Sequence, residues 1–217
     1  MRIGFKLPGG LLAGLSYALC AAQPATEYRI DPHESSVSIY VYSDGPLARL
    51  GHNHVMTSNS LEGSVSVQDQ AQQVVFELSF PVAKLVVDDP EQRRRAGPDF
   101  PPDLTAADRD VAARNMLGRK VLDARDYPTI SLQSVQSSGP LQSPLITVRI
   151  TIRGVSQDTP VPASLQFEED SLTARGDFDV RQSDFGITPF SIAFGALHID
   201  DRLHVKFEIR ARAASRS

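Results

Sequence analysis

The chain has no tryptophan, and its 217 residues include a single cysteine, Cys20. One thiol cannot make an intramolecular disulfide or a thiolate metal cluster, which excludes disulfide scaffolds and zinc ribbons. Basic residues are not in excess: 22 Lys and Arg stand against 26 Asp and Glu, for a net charge of −4. Nucleic-acid binders carry a basic patch or a basic isoelectric point, so no nucleic-acid partner is expected. The 14 glycines and 15 prolines follow no repeat, which excludes a collagen-like chain. A hydrophobic content of 41% is too high for a disordered one. No G-x-S-x-G elbow or phosphate-binding glycine loop is present. The remainder is a chain long enough to bury about 70% of its unfolded surface without a covalent staple.

The first 22 residues form a segment of their own. Arg2 and Lys6 precede an uncharged stretch over 7–22, rich in Leu, Ala and Gly. That stretch falls short of the roughly 20 apolar residues a transmembrane helix needs. Cys20-Ala21-Ala22 presents small residues where a signal peptidase cuts, which predicts a cleaved signal at 1–22 and a product beginning at Gln23. Leu19 stands where lipidation of Cys20 requires a small residue, so a lipid anchor is the weaker reading. Removal of the signal leaves one unit over 23–217, without cysteine and with a net charge of −6 once Arg2 and Lys6 are gone. The expected location is the periplasm.

Beyond residue 25, period-2 alternation dominates. Val37, Ile39 and Val41 alternate with Ser38 and Tyr40, and Val74, Phe76, Leu78 and Phe80 with Val75, Glu77 and Ser79. Ile146, Val148, Ile150 and Ile152 alternate with Thr147, Arg149 and Thr151. Phe178 lies on the apolar face of 172–180, and Leu203, Val205, Phe207 and Ile209 oppose His204, Lys206 and Glu208. Further alternating stretches cover 61–67 and 161–167, with shorter candidates at 27–31, 47–56, 82–87, 129–135 and 192–199. These are half-buried antiparallel strands, not the continuous apolar runs of a parallel sheet. Between them, 88–102 reads as a Pro-rich loop around Arg93-Arg94-Arg95. The stretch 103–118 reads as a helix, with a capping-box start at Thr105 and Asp108, Ala112, Met116 and Leu117 able to face the core, and Gly118 at its end. The fold class is all-β: an antiparallel barrel of about eight strands with one helix-bearing insertion.

The apolar faces point inward and not toward lipid. The polar faces carry Lys206, Glu208 and Arg210, and 15 Phe and Tyr with no Trp cannot build aromatic girdles. Four stretches in order, Tyr28-Arg29-Ile30-Asp31-Pro32-His33-Glu34-Ser35, Asp126-Tyr127-Pro128-Thr129-Ile130, Thr151-Ile152-Arg153-Gly154-Val155 and Arg181-Gln182-Ser183-Asp184-Phe185-Gly186-Ile187, resemble landmarks of the YceI-like family of exported lipid-binding proteins. The resemblance implies an extended, lipocalin-like barrel whose apolar tunnel holds an amphiphilic lipid such as a polyisoprenoid or an isoprenoid quinone. The implied role is non-enzymatic binding, sequestration or transport, with no cofactor. The chain departs from the family pattern around Arg49-Leu50-Gly51-His52-Asn53-His54 and over 90–102, so the resemblance does not carry the ligand's identity.

The ligand-binding candidates are therefore the inward residues Ile39, Val41, Phe76, Leu78, Ile150, Phe178, Phe207 and Ile209, joined by His52 and His54 for a polar head group. The alternative is a metal role for the His52-x-His54 pair, since i and i+2 on a strand share a face. Further ligands, such as His33, His198 or His204, are distant in sequence. No catalytic residue is proposed: Ser183-Asp184-Phe185-Gly186 reads as a turn, and Asp31, Asp88 and Asp89 have no partner at a spacing suited to acid–base work. Arg93-Arg94-Arg95, flanked by Asp89, Glu91 and Asp99, reads as a solvated loop, with transient membrane contact as its functional alternative. The oligomeric state stays open at this point, a homodimer included.

Overall fold

The computed structural model describes residues 25–68 and 71–214; the expected signal at 1–22 and its cleavage site lie outside the described residues. Strands β1 (Thr26–Ile30), β2 (Ser36–Val41) and β3 (Ser43–Asp44) come first, followed by β4 (His54–Ser58), β5 (Glu62–Gln68) and β6 (Gln73–Pro81). The two-residue strand β7 (Val86–Val87) leads to helices α1 (Pro90–Ala96) and α2 (Ala106–Leu117). The second half is β8 (Thr129–Ser138), β9 (Leu145–Ile152), β10 (Val155–Pro162), β11 (Ser164–Phe167) and β12 (Ser171–Arg181). Strands β13 (Ser191–Ile192), β14 (Leu197–Ile199) and β15 (Arg202–Ala213) end the fold.

Strand β15 is the hub. One edge pairs with β12 along nearly its whole length, and the other is shared, with β2 opposite 204–208 and β1 opposite 211–213. Between those two partners the Ser35 hydroxyl donates to the Arg210 carbonyl (3.1 Å) and accepts from the Arg210 amide (2.9 Å), filling the gap in the ladder. From β1 the antiparallel ladder runs through β5, β6, β8 and β9 to β10, and from β2 it runs to β4 and β7. The alternating faces explain the curl: Val205 and Ile209 are buried inside, while Lys206 and Glu208 are in solvent.

The all-β antiparallel fold is as expected, and among the described residues two details differ from a closed barrel of about eight strands. The main sheet has twelve strands and does not close, and β13, β14 and β3 form a second, three-stranded sheet. The seam lies between β10 and β12. Pro160 and Pro162 have no amide hydrogen, so β10 lacks donors that a ladder on its outer edge would need. The chain crosses the seam instead. After Ala163 it becomes β11, which pairs with β12, and the Gln157 side-chain amide donates to the Asp184 carbonyl at 2.7 Å. The close passage explains Gly176, where a Cβ would stand 2.4 Å from the Pro162 carbonyl and 2.7 Å from the Phe207 ring.

The insertion carries two helices, not one. The stretch read as a loop contains α1, because Asp89-Pro90 is also a helix start: the Asp89 carboxylate caps the Glu91 and Gln92 amides, and Pro90 occupies the first turn. Helix α2 begins as expected, with Thr105 accepting from the Asp108 amide (3.2 Å), and ends at Gly118. Met116 is buried, with Ala112 and Leu117 packed beside it. The expected strand over 82–87 is a 3-10 turn followed by β7, and the one over 47–56 is a 3-10 turn followed by β4. Ser183–Phe185 is a 3-10 turn closed by left-handed Gly186, in keeping with the turn reading.

Gly176→Ala is expected to destabilise the protein by about 1–3 kcal/mol, since the added Cβ would stand 2.4 Å from the Pro162 carbonyl, a backbone group that moves only if the seam itself shifts. Urea unfolding followed by circular dichroism measures this; an unchanged midpoint would show that the seam tolerates expansion.

Candidate binding cavity and its mouth

The inward faces of the curled sheet do not fill it. A cavity of about 150 Å³ runs between them, lined solely by apolar side chains. Leu78, Ile150 and Ile209 are buried in its wall. Phe76, Phe178 and Phe207 are only half-buried although they point inward, because their rings border the empty space; Phe178 and Phe207 lie 6.3 Å apart, centre to centre. A second cavity of about 360 Å³ adjoins it, and Ile39, Ile130, Ile152, Val180 and Leu203 line both. An apolar space of the first size stays dry and accepts a small apolar group, and the second falls in the size range of ligand pockets, about 300–1,000 Å³.

The outer cavity differs in chemistry. Helix α2 supplies Val111, Asn115 and Met116, β2 and β4 supply Val41, His54 and Met56, and Phe185, Ile187, Phe190 and Leu197 close the far side. Ser43, His52, Asp108, Gln182 and His198 add polar groups. The result is an apolar space adjoining a chamber of mixed apolar and polar lining.

One rim residue is held by a buried charge. His54 Nδ1 lies 2.6 Å from Oδ2 of Asp88, whose side chain has 0% exposure. The other oxygen, Oδ1, accepts from the Val55 amide (2.9 Å) and from Arg93 (2.6 Å). Arg93, itself 1% exposed, donates also to the carbonyls of Asn53 and Pro101 (both 2.7 Å), and its guanidinium lies 6.0 Å from the centre of the Phe100 ring. Burial pushes the Asp88 carboxyl upward. Hydrogen bonds and charge from His54, the Val55 amide and Arg93 outweigh that and leave it below the usual carboxylate value. With the Asp88 carboxylate accepting at Nδ1, that nitrogen carries a proton and Nε2 is the ring nitrogen left for the chamber. Asp108 is likewise lowered, chiefly by its hydrogen bond from Thr105, with the charge of nearby His52 contributing.

All ten sequence-derived candidates border one cavity or the other. Phe76, Leu78, Ile150, Phe178, Phe207 and Ile209 line the inner one, Val41, His52 and His54 the outer, and Ile39 both. Three readings need correction. His198 lines the same chamber as His52 and His54, yet among the described residues no group of three or more His, Cys, Asp or Glu could hold a metal ion. His33 stands near Asp31 on the surface, and His204 pairs with Asp179 on the outer face of the sheet. Asp88 is not unpartnered. The Arg run is not a uniformly solvated loop either: Arg93 is interior, while Arg94 and Arg95 pair with Glu91 on the surface of α1. Neither periodicity nor spacing signals the Asp88–Arg93 pair, because the sequence places both in a polar stretch. The contribution of α2 was more legible, from the apolar spacing of Ala112, Met116 and Leu117.

A family model described as YceI-like domain matches residues 28–211. No curated protein matches the chain. Among solved structures, Burkholderia cenocepacia BcnA is similar with a TM-score of 0.61 and 16% identity, covering 83% of this chain and 98% of that one. A polyisoprenoid binding domain from Saccharophagus degradans, implicated in plant cell wall breakdown, gives a TM-score of 0.56 and 11% identity over 86% of this chain and 98% of that one. The Campylobacter jejuni YCEI protein gives 0.52 and 12% over 71% and 82%.

Removing Arg93 leaves a buried carboxylate without its cation, so Arg93→Met is expected to cost about 3–5 kcal/mol in urea unfolding at neutral pH. The pH dependence has a definite sign. A carboxylate with a depressed folded value contributes stability above its unfolded value, near 3.9, and loses it as pH falls through the folded value. The advantage of the wild type over Asp88→Asn is therefore expected to shrink as pH falls below about 4. A difference that persists undiminished well below about pH 4 would contradict this assignment.

Proposed function

The chain belongs to the YceI-like family, and we propose that its adjoining cavities hold a long-chain amphiphilic lipid, a polyisoprenoid or an isoprenoid quinone, which the protein sequesters or carries without chemical change. The observation that carries this reading is the change in lining: an inner cavity with apolar walls throughout opens into a larger chamber edged by Ser43, His52, His54, Asn115 and His198. An amphiphile has the same two-part character. The similarity to the polyisoprenoid binding domain from Saccharophagus degradans supports the choice of ligand class. The Arg2/Lys6 and Cys20-Ala21-Ala22 pattern of the first 22 residues supports a periplasmic site of action.

Affinity in such a site comes from the chain and orientation from the head. Each methylene removed from water contributes about 0.8 kcal/mol, so ten carbons contribute roughly 8 kcal/mol before the cost of ordering the ligand. The apolar bore has no polar partner to offer, so the head group remains in the chamber. There His54, fixed through Asp88, presents Nε2 as an acceptor when the imidazole is neutral. A hydroxyl head, as in a prenol or a quinol, supplies the matching donor.

Two measurements test the proposal. Native mass spectrometry of protein isolated from its host is expected to show a co-purifying mass released by organic solvent. Binding of a fluorescent prenyl probe is expected to weaken at least about tenfold, or about 1.4 kcal/mol, in Ala174→Phe, which places a ring in the inner cavity. Preparations that carry no lipid and bind no prenyl or acyl probe would overturn the reading.

A further inference from the structure

Beside the chamber lie apolar side chains that are exposed to solvent. Strand β14 pairs with β13 on one side and β3 on the other, and the Leu47 amide donates to the Ala196 carbonyl at 2.8 Å. This joins the turn over 45–51 to the turn between β13 and β14 in one projecting tip. Leu47, Phe190 and Ile192 are exposed on it, Leu50 is 74% exposed, and Phe194 has 112% of its reference exposure. Phe194 adopts the left-handed conformation (φ 56°, ψ 33°), which is uncommon for a bulky side chain. The backbone there displays an aromatic ring to solvent.

We propose that this tip docks the protein on a lipid bilayer containing anionic lipids, with Leu50 and Phe194 entering the interface and the chamber mouth facing the membrane. Three observations select that occupant. The tip is continuous with the chamber: Phe190, Leu197 and Gly51 belong to the tip and also line the outer cavity. Its charge suits a bilayer, since 185–197 contains no Asp, Glu, Lys or Arg, and the sole charge in 45–51 is Arg49, a cation suited to anionic head groups. Asp44, at the base of the tip, has His198 Nε2 3.5 Å away. Its size does not suit a stable protein partner, because five apolar side chains on two short turns fall well below the roughly 20–30 residues per side of a standard interface. The Arg93-Arg94-Arg95 run is a poorer membrane contact, with Arg93 buried and its neighbours already paired with Glu91. Docking at the mouth gives an amphiphile a path between bilayer and chamber that avoids bulk water, and in this respect the inference rests on the lipid-carrying reading.

The test is flotation of the purified protein with vesicles of phosphatidylethanolamine and phosphatidylglycerol, beside the double variant Leu50→Glu/Phe194→Glu. Neither substituted residue lines either cavity. The wild type is expected to float and the variant to be recovered at least about tenfold less, while both bind a fluorescent prenyl probe equally in solution. Wild type that stays in the dense fraction, or a variant that floats as well as wild type, overturns the proposal. So does a wild-type dimer in sedimentation that the variant abolishes without any flotation, which would assign the tip to a second copy of the chain. Flotation that is lost in the variant, with no probe binding by either protein, upholds docking and overturns the lipid-carrying reading alone.

Discussion

The division of one edge of β15 between two partners shapes the rest of the molecule. At Arg210 the ladder passes from β2 to β1, and the Ser35 hydroxyl satisfies both backbone groups at the junction. From there the sheet forks. One branch, through β5, β6, β8, β9 and β10, wraps around the inner cavity, and the shorter branch, which runs to β4 and β7, walls the chamber through β2 and β4. The fork allows an apolar interior and a mixed mouth to be built from the same strands.

The short branch needs support, since β7 has only two residues and α1 only seven. Asp88 and Arg93 provide it. A buried ion pair of this kind does little for net stability, because desolvation of both groups offsets most of their attraction. What it provides here is position. The carboxylate ties the Val55 amide and the His54 ring, and the guanidinium reaches the carbonyls on either side, at Asn53 and Pro101. The same pair that docks α1 against β4 therefore fixes which nitrogen of His54 the chamber receives. Phe100, edge-on to Tyr40 (5.5 Å) and Tyr42 (5.3 Å), completes the apolar side of this junction.

The open seam and the empty interior are connected. Prolines at 160 and 162 prevent a ladder from β10 to β12, and Gly176 lets the two strands approach without one. Closure by the crossing of β11, and not by a continuous ladder, leaves the curvature to side-chain contacts, among them the Gln157–Asp184 hydrogen bond. The half-buried Phe76, Phe178 and Phe207 show that the resulting girth exceeds what the inward side chains fill.

Period-2 alternation by itself determined the long strands, their inward faces and hence most residues that border the inner cavity, because a strand has only two faces and water selects between them. The Thr105–Asp108 cap and Gly118 determined α2 in the same local way. The number of strands in the sheet, its open seam and its fork depended on which edges meet, and edge pairing is not a local property. Asp88, Arg93 and His54 show the limit most clearly. The positions 54, 88 and 93 meet only when α1 folds back onto β4, and an Asp-Pro start followed by three arginines has the composition of a solvated loop. Burial of a charge becomes favourable only once its partners are in place, so tertiary structure alone decided that this arginine lies inside and that its neighbours remain in water.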